Sequence, residues 1–250
     1  MTEKLVCIIP VGPGHRRLSR RAEWSIKVAQ GHGLGPFSEV ECVLVDDTKG
    51  QFGRAAARNH GMSLHPDADW YYFLDADDMM HGEALVRFGA GRKRHPEARA
   101  IWGKGLLWMH GEYVAIGDEI FPMTWEDVIL CMNLGTFGVG HFVGGEEARR
   151  LRFDETVPHC EGFEFCVSFI SCFPWVKIEE PLSIIDKDAP SCNDHYSPCP
   201  APWTRAFNAH VMKWKTRGRV PLTDRELLER HFGERERKAW CSSTPATLET

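Results

Sequence analysis

At 250 residues, with 43% hydrophobic and 26% charged residues, the chain has the composition of a soluble globular protein able to bury one full core. A formal net charge of -5 argues against a general nucleic-acid coat while leaving room for a local basic face. No apolar run approaches the ~20 residues of a membrane span, and the first residues lack the apolar region and cleavage site of a signal peptide. The expected location is cytoplasmic. The nine cysteines are scattered, odd in number and without a C-x-x-C pair, so they read as small buried hydrophobes in a reducing compartment. Cys192, His195 and Cys199 have loose metal-type spacing, but a structural zinc needs a fourth ligand and none is near.

Residues 5–9, Leu-Val-Cys-Ile-Ile, are wholly apolar and closed by Pro10, Gly12 and Gly14, which reads as a central strand entering a loop. Residues 16–30 carry helical periodicity, with Leu18, Ala22, Ile26 and Ala29 on one side, until a glycine-rich cluster at 31–36 stops them. A second strand at 40–45 runs into Asp46 and Asp47. A helix then begins at Arg54 and continues through three alanines, Arg58, Asn59 and Gly61. Arg54 and Arg58 share a helical face, where they would bind phosphate or hold the strand-end acids; a solvated basic face would look the same.

The most informative stretch is Trp70-Tyr-Tyr-Phe-Leu-Asp75-Ala-Asp77-Asp78. Its apolar part shows no polar alternation, which suits a strand buried on both faces. Unpaired buried carboxylates are costly, so this cluster must sit where the strand leaves the sheet, and it calls for cations. If the backbone stays extended, Asp75 and Asp77 point the same way. They can then share one Mg²⁺ or Mn²⁺ with a substrate diphosphate. The blander readings are a solvated acidic turn, or Asp78 capping a helix over 81–94. Strand–helix alternation up to this point predicts a parallel, doubly wound half with Val11, Asp46, Asp47 and Asp75 at one edge.

These residues carry a resemblance. Ile9-Pro10-Val11, Val45-Asp46-Asp47, Arg54 with Arg58-Asn59 and Gly61, and Phe73-Leu-Asp75-Ala-Asp77-Asp78 resemble, in order and spacing, the family 2 glycosyltransferases of the GT-A fold. The resemblance implies an α/β fold of GT-A type: a Rossmann-like mixed, mostly parallel sheet flanked by helices, with a C-terminal helical extension. It implies a domain over 1–202, with a donor-binding half at 1–100 and an acceptor-side half at 101–202. Pro10, Val11, Asp46 and Asp47 would hold the base and ribose, and Arg54 and Arg58 the phosphates. Asp75, Ala76 and Asp77 would take the sugar-nucleotide and Mn²⁺ or Mg²⁺.

Further along, a helix is expected at 83–94, strands at 100–108 and 112–116 joined at His110-Gly111, a helix at 121–131, and a glycine-rich stretch at 135–140. A helix at 146–151 and closing strands at 175–178 and 182–185 follow. Trp102, Trp108 and Trp125 would stack on a sugar ring or, more ordinarily, fill the core. Phe153-Asp-Glu155 precedes Glu161 and Glu164. In the resembling family such a loop leads to a Glu-Asp pair at a helix start, one acid being the catalytic base. Gly162 stands where that aspartate would be. Three readings stay open: Glu161 acts itself, Glu164 takes over one helical turn on, or catalysis is lost or altered. His195 resembles the family's late histidine near the diphosphate or metal. Residues 203–240 read as helical and rich in basic residues, and 241–250 as a disordered tail.

The function these residues point to is metal-dependent transfer of a sugar from a nucleoside diphosphate sugar, with a UDP-sugar as the expected donor, to an acceptor hydroxyl with inversion. The acceptor would be a glycan, a lipid-linked glycan or a hydroxylated base in viral DNA. Two rivals differ in kind. A nucleotidyltransferase would use a Gly/Arg/Lys loop that 12–17 resembles faintly. A silent nucleotide-sugar or nucleic-acid-binding module is favoured by Gly162 and opposed by the intact Asp75 and Asp77.

Overall fold

The computed structural model describes residues 3–115, 140–157 and 161–189. The chain opens with β1 (Glu3–Val11), α1 (Ser19–His32), β2 (Phe37–Asp46), α2 (Arg54–Leu64) and β3 (Trp70–Phe73), the alternation expected from the hydrophobic pattern. β1 is apolar on both faces because it is central. Val6 and Ile8 enter one core, while Leu5, Cys7, Ile9 and Val11 enter the other. β2 and β3 flank β1 in parallel, with Val11 opposite Asp46 and Ile8 opposite Phe73. Gly61 lets α2 lie directly on β1, since a Cβ there would come within 2.7 Å of Ile8 Cγ2.

Then follow β4 (Met79–Met80), α3 (Ala84–Arg94), β5 (Ala100–Met109), β6 (Glu112–Ala115), β7 (Phe142–Gly144), α4 (Gly145–Leu151), α5 (Glu161–Cys172) and β8 (Trp175–Asp186). The spatial order is β2-β1-β3-β7-β5-β8-β4, with β6 beside β5. β1, β2, β3, β5 and β8 run one way; β4, β6 and β7, none longer than 4 residues, run against them. The sheet is therefore mixed and mostly parallel, as expected, and the carboxyl ends of β1, β2, β3, β5 and β8 share one edge. α2, α4 and α5 pack on one face and α1 and α3 on the other.

Several local expectations change. Residues 13–18 form turns, with Ser19 N–H donating to the His15 carbonyl, so α1 starts at Ser19 rather than at 16. The two closing strands are one strand, β8, which runs through Pro181. It can do so because its register against β5 shifts on either side of Lys104, leaving the proline where ladder bonding is already interrupted. Gly103 allows that crowding: a Cβ there would meet Leu182 Cγ at 2.4 Å and the Glu180 carbonyl oxygen at 2.6 Å. His110 and Gly111, both at positive φ, turn β5 into β6, and Asp188 accepts both of their backbone N–H groups. Trp102 is core, stacked on His141 and edge-on to Trp175 and Phe169.

Among the described residues no helix is long and apolar enough to cross a membrane. The helix expected at 121–131, the glycine-rich run at 135–139, Trp125, Cys192, His195, Cys199 and the expected 203–240 extension lie outside the described residues.

Candidate active site

Each of the first three strands delivers its polar residues to the shared edge just as its apolar run ends. Pro10 and Val11 close β1, and the Val11 carbonyl accepts the backbone N–H of Asp47. Asp46 is exposed, and its Oδ1 accepts the Thr48 N–H at 2.9 Å. That bonding, from the Thr48 side chain and backbone, holds its carboxyl below the usual range. Asp47 has turned inward and is buried. Its Oδ1 takes the N–H groups of Gln51 and Phe52 at 2.7 and 3.0 Å, and its Oδ2 that of Gly53 at 2.8 Å. Asp47 thus shapes the loop that launches α2 and aims Arg54. The two neighbouring aspartates, alike in the sequence, do different work.

After β3 the chain does not stay extended, as the Asp-x-Asp spacing had suggested. Residues 75–78 form a tight turn closed by Asp78 N–H to the Asp75 carbonyl at 3.1 Å. The turn gathers three carboxylates rather than two: ligand oxygens of Asp75, Asp77 and Asp78 all lie within 4.8 Å of one another. Ala76, buried at the turn, leaves room for this. Burial and then the charge of Asp75 push the Asp77 carboxyl up, and burial with both neighbouring charges pushes Asp78 well above the usual range. Asp78 does not cap α3; its Oδ1 accepts the backbone N–H of Asp186 at 3.1 Å.

Arg58 ties this cluster to the other half of the molecule. Its side chain is 1% exposed. One guanidinium nitrogen donates to Asp75 Oδ1 at 2.5 Å and the other to Glu161 Oε1 at 2.8 Å, and the guanidinium lies 5.2 Å from the centre of the Phe153 ring. Arg54 Nε reaches the same Glu161 oxygen at 3.1 Å. Glu161 is 4% exposed. Burial alone would raise its pKa, but Arg58 and Arg54 outweigh burial and hold the carboxyl below its ordinary range. Next to Arg58, Asn59 clasps the loop before α5. It donates to the Phe153 carbonyl at 2.9 Å and to Glu155 at 2.8 Å, and accepts the Phe153 N–H at 2.9 Å.

A divalent cation fits this donor set. The three carboxylates are hard oxygen ligands, crowded enough to resist ionising together, and each keeps an oxygen: Arg58 occupies only Oδ1 of Asp75, and Asp186 N–H only Oδ1 of Asp78. Of the expected site residues, Pro10, Val11, Asp46, Asp47, Arg54, Arg58, Asp75, Ala76, Asp77 and Glu161 meet along this edge. Glu164 is half-buried in the first turn of α5. Two residues had not been singled out: Asp186, buried at the end of β8, and Arg21 of α1, which pairs with it. The signal was present, because Asp186 is another carboxylate placed where an apolar strand stops.

No family model and no curated protein matches the chain. Solved structures do. S. aureus TarS 1-349 in complex with UDP-GlcNAc is 13% identical with a TM-score of 0.59, the match covering 78% of this chain and 61% of that one. S. aureus TarS 1-349 on its own gives 13% and 0.57, covering 74% and 60%, and its complex with UDP gives 12% and 0.57, covering 95% and 78%. The chain thus spans about three fifths of the length of the first two. At such identity the likeness is one of fold.

Proposed function

We propose that this protein transfers a sugar from a nucleoside diphosphate sugar, with a UDP-sugar as donor, to an acceptor hydroxyl. The observation that carries the reading is the three-carboxylate turn at the carboxyl edge of β3, on a fold like that of proteins solved with UDP and UDP-GlcNAc. Asp75 and Asp77, joined by Asp78, would hold Mn²⁺ or Mg²⁺, which when bound neutralises charge on the departing diphosphate. Pro10, Val11 and exposed Asp46 line the adjoining strand ends, where base and ribose would lie. Arg54, half-exposed beside the cluster and paired with Glu161, would contribute positive charge near the phosphates.

In such a transfer the acceptor oxygen bonds the anomeric carbon, the bond to the diphosphate breaks, and the hydroxyl proton passes to a protein base. Attack from the side opposite the leaving group inverts the anomeric centre. Glu164, in the first turn of α5, is the proposed base; Glu161 already accepts from two arginines. A glycan, a lipid-linked glycan and a hydroxylated DNA base are the acceptor classes to try. The test is release of UDP from UDP-GlcNAc by the wild type with Mn²⁺, with chelator, and by Asp77→Ala. The reading expects release that chelation and the substitution both abolish. Donor bound but never consumed, with every acceptor class, would favour a silent binding module.

A further inference from the structure

Glu161 stands where sequence reasoning sought the catalytic base, yet its surroundings suit another task. Its Oε1 accepts from both Arg58 Nη1 at 2.8 Å and Arg54 Nε at 3.1 Å, and the side chain is almost wholly enclosed. Both contacts fall on Oε1, and a carboxylate flanked by two guanidinium groups that never give up their protons is a poor recipient for a further proton. Arg58 is equally enclosed and fork-shaped: one arm holds Glu161 and the other Asp75, the first acid of the three-carboxylate turn. Phe153 beside its guanidinium and Asn59 anchoring the Phe153 backbone keep it from swinging away.

Asp75 Oδ1 is therefore committed to Arg58, which leaves Oδ2 as the oxygen that the guanidinium does not occupy. Rotating Asp75 to offer both oxygens would strand a buried guanidinium arm, which is costly. We propose that Glu161 is a positioning residue: through Arg58 it fixes Asp75 so that a single oxygen is presented to the divalent cation. This rests on the proposed donor site and extends it to a residue in the other half of the chain.

The experiment is direct Mn²⁺ binding, read from the free Mn²⁺ paramagnetic resonance signal with UDP present, on the wild type, Glu161→Gln and Arg58→Lys. Partners that orient a metal ligand change affinity by roughly 10- to 100-fold when replaced. Glu161→Gln should weaken Mn²⁺ by about that factor, and UDP release from UDP-GlcNAc should recover at saturating Mn²⁺ to within a few-fold of wild type. Arg58→Lys, at a position whose native guanidinium has no role as a base, should show the same loss of affinity. The inference is overturned if Glu161→Gln binds Mn²⁺ as tightly as the wild type but stays inactive at any metal concentration. It is also overturned if Arg58→Lys leaves Mn²⁺ affinity unchanged, a result that holds even if Glu161→Gln fails to fold. A wild type that binds no Mn²⁺ at all would instead remove the proposed donor site itself.

Discussion

Replacing Arg58 with methionine isolates the interaction that joins the two halves of the site. The substitution keeps much of the side-chain volume but removes both charge-assisted hydrogen bonds, at 2.5 Å to Asp75 and 2.8 Å to Glu161. Breaking a fully buried ion pair costs about 3–5 kcal/mol, because the surviving charge is left without a partner. Here the cost belongs near the lower end. Glu161 retains Arg54, and the Asp75 side chain is 27% exposed, so water relieves part of its loss. We expect about 3 kcal/mol, which for a chain of this length lowers the unfolding midpoint by roughly 6–12 °C. The assay is denaturant unfolding of the wild type, Arg58→Met, Glu161→Gln and the double variant; the double should lose at least ~1 kcal/mol less than the sum of the singles. The pH arm has a definite sign. Arg58 and Arg54 hold Glu161 below its ordinary range against burial. The stabilisation is therefore present above the unfolded carboxyl value and fades as pH falls through the depressed folded one. In Arg58→Met that fading should begin at higher pH. A loss under ~1 kcal/mol, with strictly additive singles, would refute a buried Arg58 pair.

Asn59→Ala should cost about 2–4 kcal/mol by urea unfolding, since the N–H and carbonyl of buried Phe153 both lose their partner; a change within ~0.5 kcal/mol would mean the clasp does not hold the loop. Gly103→Ala should destabilise by at least ~1 kcal/mol despite the better strand former, because its methyl would meet Leu182 and the Glu180 carbonyl; a neutral result would contradict the β5–β8 register. Burial and neighbouring charges raise Asp77 and Asp78, so without a cation they stabilise the fold below the unfolded carboxyl value and cease to as pH rises through their raised values. Added Mn²⁺ should therefore raise the melting midpoint more at about pH 7.5 than at about pH 5, and an equal or smaller shift at the higher pH would count against a cation on these acids.

Much of the fold was legible because β1 and β3 are apolar runs with abrupt polar ends, which suits strands buried on both faces, while β2 at the sheet's edge mixes Glu39 and Glu41 into its run. The edge itself was legible for the same reason: Asp46–Asp47 and Asp75 each follow directly on an apolar run. What could not be read were facts of orientation and register. Asp46 and Asp47 differ in the sequence only by position, and one reaches outward while the other builds a loop. The Asp75–Asp78 turn depends on a backbone reversal that period-two counting misses. β8 passes Pro181 because of a register shift against β5, a tertiary fact. The pairing of Glu161 with Arg58 could not be read, because position relative to a motif says nothing about partners 103 residues away in the chain. Asp186 was readable by the strand-end rule and was passed over for lack of a motif.

The most direct measurement is thermal unfolding of the wild type and Asp77→Ala with UDP, GDP, CDP or dTDP, each with and without Mn²⁺. Ligand that binds the folded chain must raise the midpoint by mass action. The account predicts that UDP raises it only when Mn²⁺ is present, and that Asp77→Ala abolishes the response. No shift with any diphosphate, or an undiminished shift in Asp77→Ala, would contradict it.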